Sequence, residues 1–301
     1  MVIYVITETG NRKEGRDSSY LDFKGGKLNM GKEKLTFTNA KMFSIVMQNE
    51  DFCKGLLERI LGKKIEELII EDKIDVTTEE TIIAAIRAKG VRLDVRFTDD
   101  ETWYSIEMQA DVEKYIAQRS SYYHSVIAVN DLKPGMSYGD MKPSYVIFLC
   151  CYDPMELGSP VYSFEMYDRE NELPLGENRY TILLNSKAEE APPELKDLFT
   201  YMNEGVVPNG DELLERIDEI VREYADGEVG AAIMEWEYEY EQQMKAMQKE
   251  IDAQKESLAE KDAALAEKDK ENAELKEAKA EDEKTIADLK EKLKRFEESH
   301  K

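Results

Sequence analysis

Two short segments with side chains alternating between apolar and polar constrain this chain most. Val91-Arg92-Leu93-Asp94-Val95-Arg96-Phe97 is followed by a polar turn, Thr98-Asp99-Asp100-Glu101-Thr102, and then by Trp103-Tyr104-Ser105-Ile106-Glu107-Met108-Gln109. Side chains on a strand point to opposite faces in turn. A hairpin therefore gathers Leu93, Val95, Phe97, Tyr104, Ile106 and Met108 on one face, and Asp94, Glu107 and Gln109 on the other. An Asp and a Glu brought together beside a sheet are oxygen donors suited to a hard divalent cation.

The flanking segments supply the rest of a layered domain. Phe43, Val46, Met47, Phe52, Leu56, Leu57, Ile60 and Leu61 recur at helical spacing over 37–61. Asn49-Glu50-Asp51 marks a bend or restart there, and Gly62 a C-cap. Ile65–Ile74 and Thr81–Arg87 read as strand or edge segments, and Tyr115–Val129 as a helix. Ser144–Tyr152 is apolar nearly throughout, as a central strand covered on both faces should be. Val161–Met166 and Tyr180–Leu184 read as further strands, with Glu194–Met202 and Glu212–Tyr224 as helices. This order implies an α/β fold, a sheet flanked by helices, rather than a bundle.

From about Tyr238 the chain changes character. Gly and Pro vanish, and Met244, Ile251, Leu258, Leu265, Asn272, Lys279, Ile286 and Leu293 stand seven apart. The companion positions Gln254, Lys261, Lys268 and Asp282 interrupt the second seam with polar groups. Such heptads predict a long helix that self-associates as a coiled coil. Residues 241–301 carry 14 Lys+Arg and 18 Asp+Glu, so the formal charge of −24 sits mostly in the remainder, at −20.

Several function classes are disfavoured. The acidic balance argues against non-specific nucleic-acid binding through a basic face. His124 and His300 alone leave little room for a Ser-His-Asp triad. Cys53, Cys150 and Cys151 make an odd count that fits a reducing compartment. The longest apolar run, Tyr145–Cys151, falls far short of the roughly 20 residues that span a bilayer. The first residues lack the basic start and long apolar segment of a signal peptide, so a cytoplasmic protein without membrane partners is expected.

Asp94, twelve intervening residues and Glu107-x-Gln109 resemble the motif of the PD-(D/E)XK nuclease superfamily, and above all its Rpn branch, recombination-promoting nucleases of transposase type. Further blocks resemble that branch in order. They are Leu35-Thr36 through Met47, Cys53 through Gly62, Gly90 through Val95, Ile106 through Gln109, Arg119-Ser120-x-Tyr122-Tyr123, Lys133-x-Gly135-x-x-Tyr138 and Ser144 through Phe148. The resemblance covers about residues 35–240.

It implies a restriction-endonuclease-like core, a mixed central sheet flanked by helices, with the long helix or coiled coil appended. It implies Mg²⁺, with Mn²⁺ able to substitute, held by Asp94, Glu107 and the Met108 main-chain carbonyl, and Gln109 as the remaining catalytic residue. Gln109 stands where the superfamily usually has Lys, so Lys89, Arg92 or Arg119 would supply the cation, with Tyr123 beside Arg119 at the DNA phosphate. Ala40 stands where family members commonly carry an acid in the first helix, and Glu58 is the candidate for an extra acid.

The expected organisation is a variable extension (1–34), a nuclease-like core (35–190), a helical extension of that core (191–237) and a charged long helix or coiled coil (238–301). The expected function is Mg²⁺-dependent DNA endonuclease activity, with homo-oligomerisation through 240–301. The alternative is a catalytically weak or inactive nuclease fold that acts as a binding or assembly module through its tail.

Overall fold

The computed structural model describes residues 35–71, 78–87, 95–99 and 101–299. The N-terminal extension, Lys89, Arg92 and Asp94 lie outside the described residues.

The predicted restart near residue 49 is present. Helix α1 (Ala40–Val46) is capped by the Asn39 side chain, which accepts from the Lys41 and Met42 N–H groups. Helix α2 (Glu50–Leu61) is capped by Asn49, which accepts from the Phe52 N–H. These bonds satisfy amides that a helix start leaves unpaired. Gly62 ends α2 in the left-handed region, at φ 64°, with its N–H on the Glu58 carbonyl.

The segment after α2 departs from expectation. Among the described residues of 65–74, only β1 (Ile69–Glu71) is strand. Thr81–Arg87, expected as a strand from its Thr and Ile content, lies in helix α3 (Glu79–Arg87). Two signals outweigh β-propensity there. Ile82 and Ile86, one helical turn apart, are both buried, and Thr78 Oγ1 accepts from the Thr81 N–H at the helix start.

The acid-bearing hairpin is β2 (Val95–Thr98) and β3 (Trp103–Gln109), paired antiparallel from Val95↔Ile106 to Thr98↔Trp103. Asp99 shapes its turn, accepting from the Glu101 and Thr102 N–H groups and from the Tyr104 hydroxyl. Helix α4 (Ile116–Asp131) then leads to β4 (Ser144–Cys150), which lies parallel to β3. Strand β5 (Val161–Phe164) follows, and a small hairpin of β6 (Tyr167–Asp168) and β7 (Leu173–Pro174) that periodicity did not reveal. Strand β8 (Arg179–Asn185) pairs parallel with β4 and antiparallel with β5. Among the described residues the main sheet runs β1-β2-β3-β4-β8-β5.

Helices α5 (Pro193–Glu204), α6 (Glu212–Asp226) and α7 (Glu228–Ser299) complete the chain. The mixed sheet is covered on both faces, as the α/β reading requires. One face carries Tyr104, Ile106, Met108, Ile147, Leu149, Ile182 and Leu184 into a core shared with α1, α2, α3, α5, α6 and the start of α7. The other carries Val146, Phe148, Cys150 and Leu183 against Ile116 and Ile127 of α4. Phe97, Tyr104, Tyr145 and Tyr180 fall in register across four strands, and the tyrosine rings stack at centroid distances of 5.7 and 4.8 Å. Aromatic pairing of this kind adds to the apolar burial of the first face.

The described residues fall into two compact units, divided between Trp236 and Glu237. The described residues of the second, up to Ser299, are continuous helix. Its charged surface carries i,i+4 pairs such as Lys245–Glu241 and Lys292–Asp288, while Leu258, Leu265, Leu275, Ile286, Leu289 and Leu293 are exposed. No helix among the described residues is long and apolar enough to cross a membrane.

Candidate functional site

Alternation in β3 sends Tyr104, Ile106 and Met108 into the larger core and turns Glu107 and Gln109 to the face under α4. Both are buried, Glu107 at 5% exposure and Gln109 at 8%. A carboxylate taken this far from water needs a counter-charge and hydrogen-bond donors. Gln109 Nε2 donates to Glu107 Oε2 at 3.0 Å. Arg119, from the first turn of α4, donates through Nη2 to the same oxygen at 2.6 Å.

The guanidinium serves four acceptors. Besides Glu107, Nη2 reaches the Tyr123 hydroxyl at 3.0 Å, while Nη1 reaches Gln109 Oε1 at 3.3 Å and Glu113 Oε2 at 3.2 Å. Burial alone would lower the pKa of Arg119, but Glu107, Tyr123 and Glu113 outweigh it and raise it above the ordinary value. The Gln109 amide is thereby oriented: its oxygen faces Arg119 and its nitrogen faces Glu107. Glu113 is held in turn, because its N–H donates to the Tyr152 hydroxyl at 2.9 Å. Burial, ahead of the Cys150 and Glu113 contacts, pushes that phenol up to about 12.

The Gln109 carbonyl accepts from the Cys151 N–H on the β4 side. Carbonyls alternate along a strand, so that of Met108 turns to the opposite edge, toward β2. Glu107 and Met108 thus present a carboxylate and a carbonyl, the donor types a hard cation takes. No cluster of three His, Cys, Asp or Glu side chains suited to a metal occurs among the described residues.

Of the three cations considered for the place of the motif lysine, Arg119 meets Glu107, and Lys89 and Arg92 lie outside the described residues, as does Asp94. Tyr123 joins the cluster through Arg119. Glu58 is occupied elsewhere: Oε1 accepts from the Ile65 N–H and Oε2 lies 3.7 Å from Lys64 Nζ, so it shapes the turn after α2. Ala40 is exposed and opens α1. Sequence reasoning missed Glu113 and Tyr152. The one available signal was an acid in the strand-to-helix connection six residues before Arg119.

It also missed the polar seam that docks α4. His124 is buried, with Nδ1 at 2.8 Å from Ser144 Oγ and Nε2 at 3.2 Å from Thr181 Oγ1. Ser120 Oγ lies 2.5 Å from the same Thr181 hydroxyl. Burial, aided by nearby Arg179 and opposed by Glu177, lowers the His124 pKa to about 4. A neutral imidazole therefore joins α4 to β4 and β8, one turn beyond Arg119.

A family model described as PD-(D/E)XK nuclease family transposase matches residues 36–187, half of the chain. The match runs from the approach to α1 to the end of β8 and contains the whole Glu107, Gln109 and Arg119 cluster. No curated protein and no solved structure matches the chain.

The His124 seam predicts a pH-dependent stability. Its folded pKa of about 4 lies below the free value of 6.5, so between these limits the unfolded chain binds the extra proton. The contribution of neutral His124 is complete above pH 6.5 and is lost as the pH falls toward 4. Urea denaturation at pH 7 and pH 5 should show a larger loss for the wild type than for His124→Gln. Equal losses would remove His124 as the cause.

Proposed function

Because the chain belongs to the PD-(D/E)XK nuclease family transposases, we propose that it is a DNA endonuclease dependent on Mg²⁺, or Mn²⁺ in its place, acting in recombination or element mobility. The observation that carries this reading is the buried Glu107 carboxylate at the end of β3, fixed by Gln109 and Arg119. The proposed metal ligands are Asp94, Glu107 and the Met108 carbonyl. The Val95↔Ile106 pairing supports them, since it is the register that a facing of Asp94 and Glu107 requires. Mg²⁺ keeps several waters and takes few protein carboxylates, so this donor set suits it.

When bound, the cation would lower the pKa of an attached water and offset charge on the phosphate. The chain's own groups divide the remaining work. Gln109 can orient a water through its amide without adding charge. Arg119 would turn to a phosphate oxygen the donors now held by Glu107 and Gln109, and the Tyr123 hydroxyl stands beside it. Lys89 and Arg92 are proposed on sequence grounds as further phosphate contacts.

A specific observation favours a second reading. Glu107 is already neutralised by Arg119, and Ala40 stands where relatives commonly carry an acid. On that reading the fold is a weak or silent nuclease used as an assembly module. Incubation of supercoiled plasmid with the purified protein and Mg²⁺ or Mn²⁺ separates the two. The nuclease reading expects cutting that falls by about 100-fold or more in Asp94→Asn and Glu107→Gln. Cutting that persists in both variants would refute the site, and intact plasmid under all conditions would favour the silent module.

Both readings share a proposed self-association through residues 240–301. The support is the row of exposed Leu258, Leu265, Leu275, Leu289 and Leu293 on an uninterrupted helix, which a second copy would cover. Sedimentation equilibrium should report an oligomer for the full chain. The triple variant Leu258→Glu, Leu265→Glu, Leu289→Glu should be monomeric. A monomeric wild type, or an unchanged oligomer in the variant, would contradict this.

A further inference from the structure

The geometry points to Arg119 as a resident counter-cation that occupies the Glu107 carboxylate in the metal-free protein and yields that oxygen when a divalent cation binds. The inference rests on the metal site proposed above and deepens it.

Three observations combine. First, Glu107 is 5% exposed while the Arg119 side chain is 33% exposed. The carboxylate is locked in the sheet, but the guanidinium lies on its solvent side, where it can move without opening the core. Second, Arg119 has acceptors of its own to fall back on. Glu113 Oε2 at 3.2 Å and the Tyr123 hydroxyl at 3.0 Å are supplied by the β3–α4 connection and by α4, not by β3. Releasing Glu107 and Gln109 therefore leaves the guanidinium with a carboxylate and a phenol, not stranded. Third, position 109 is an uncharged amide. A lysine there would set two cations on one buried carboxylate, and like charges at hydrogen-bonding distance repel strongly away from water. Gln109 fits a site whose resident positive charge comes from α4.

A guanidinium and a divalent cation cannot both sit against Glu107 Oε2 without repulsion. Binding the ion then costs the Arg119–Glu107 contact, and the freed side of the fork becomes available to an anion next to the ion. Arg119 is thus a positioning residue in the empty protein, and it sets a threshold for metal binding.

The test is Mn²⁺ binding to the full chain at pH 8 by titration calorimetry, in the absence of DNA. Arg119→Gln should bind about tenfold more tightly than the wild type, because a competing charge has gone. Arg119→Lys keeps the charge without the fork and should fall between them, which preserves the test if the Gln variant fails to fold. Loss of a purely structural bond would loosen the site and weaken binding. Equal or weaker affinity in both variants would therefore overturn the inference while leaving the metal site standing. Glu107→Gln should abolish the binding. If the wild type and both Arg119 variants show none, the metal site itself fails, and the inference with it.

Discussion

A carboxylate buried at the end of a strand must be compensated, and the compensation of Glu107 organises this molecule. The charge on β3 is met by a guanidinium from α4, so strand and helix are joined by an ion pair as well as by apolar packing. Removing one partner of such a pair is costly, because it leaves the other charge buried alone. The connection from Ala110 to Tyr115 is drawn into the same network through Glu113, which binds Arg119 by its side chain and Tyr152 by its N–H. Tyr152 follows directly on β4 and Cys151. One guanidinium therefore ties together the ends of two neighbouring parallel strands and the start of the helix between them.

The two faces of the sheet differ in character. The face toward α1, α2, α5 and α6 is apolar and aromatic, with Phe97, Tyr104, Tyr145 and Tyr180 running across the strands. It supplies the larger share of buried apolar area, and so of stability. The face toward α4 has the smaller apolar cluster and the polar groups: His124, Ser144, Thr181 and Ser120 at one end, and Glu107, Gln109 and Arg119 at the other. A polar seam satisfied by partners fixes a helix at one angle and register better than apolar contact alone. The Glu107, Gln109 and Arg119 cluster is held by that fixity.

Much of this was legible in the residues, for definable reasons. Period-2 alternation placed Glu107 and Gln109 opposite Tyr104, Ile106 and Met108 because a strand allows no other arrangement. Asn49 and Gly62 announced the start and end of α2 because only a few residue types cap helices well. Thr81–Arg87 was misread because Ile and Thr favour strands locally, whereas burial of Ile82 and Ile86 on one side decided for a helix. The β6–β7 hairpin is too short for periodicity to register. Within the site, sequence offered three cations and no way to rank them. The meeting of Arg119 with Glu107 depends on how α4 crosses the sheet, and that is set by apolar contacts of Ile116 and Ile127 and by His124 with strands far away in sequence. Glu113 and Tyr152 escaped for the same reason, since 39 residues separate them.

Whether the Glu107 end of β3 takes a divalent cation decides between a nuclease and a silent fold. Anomalous diffraction from crystals of the full chain grown with Mn²⁺ tests this most directly. A single strong peak is expected within direct-ligand distance of the Glu107 carboxylate and the Met108 carbonyl, with the Arg119 guanidinium withdrawn toward Glu113 and Tyr123. A peak-free site with Arg119 still on Glu107, in crystals grown at saturating Mn²⁺, would contradict it.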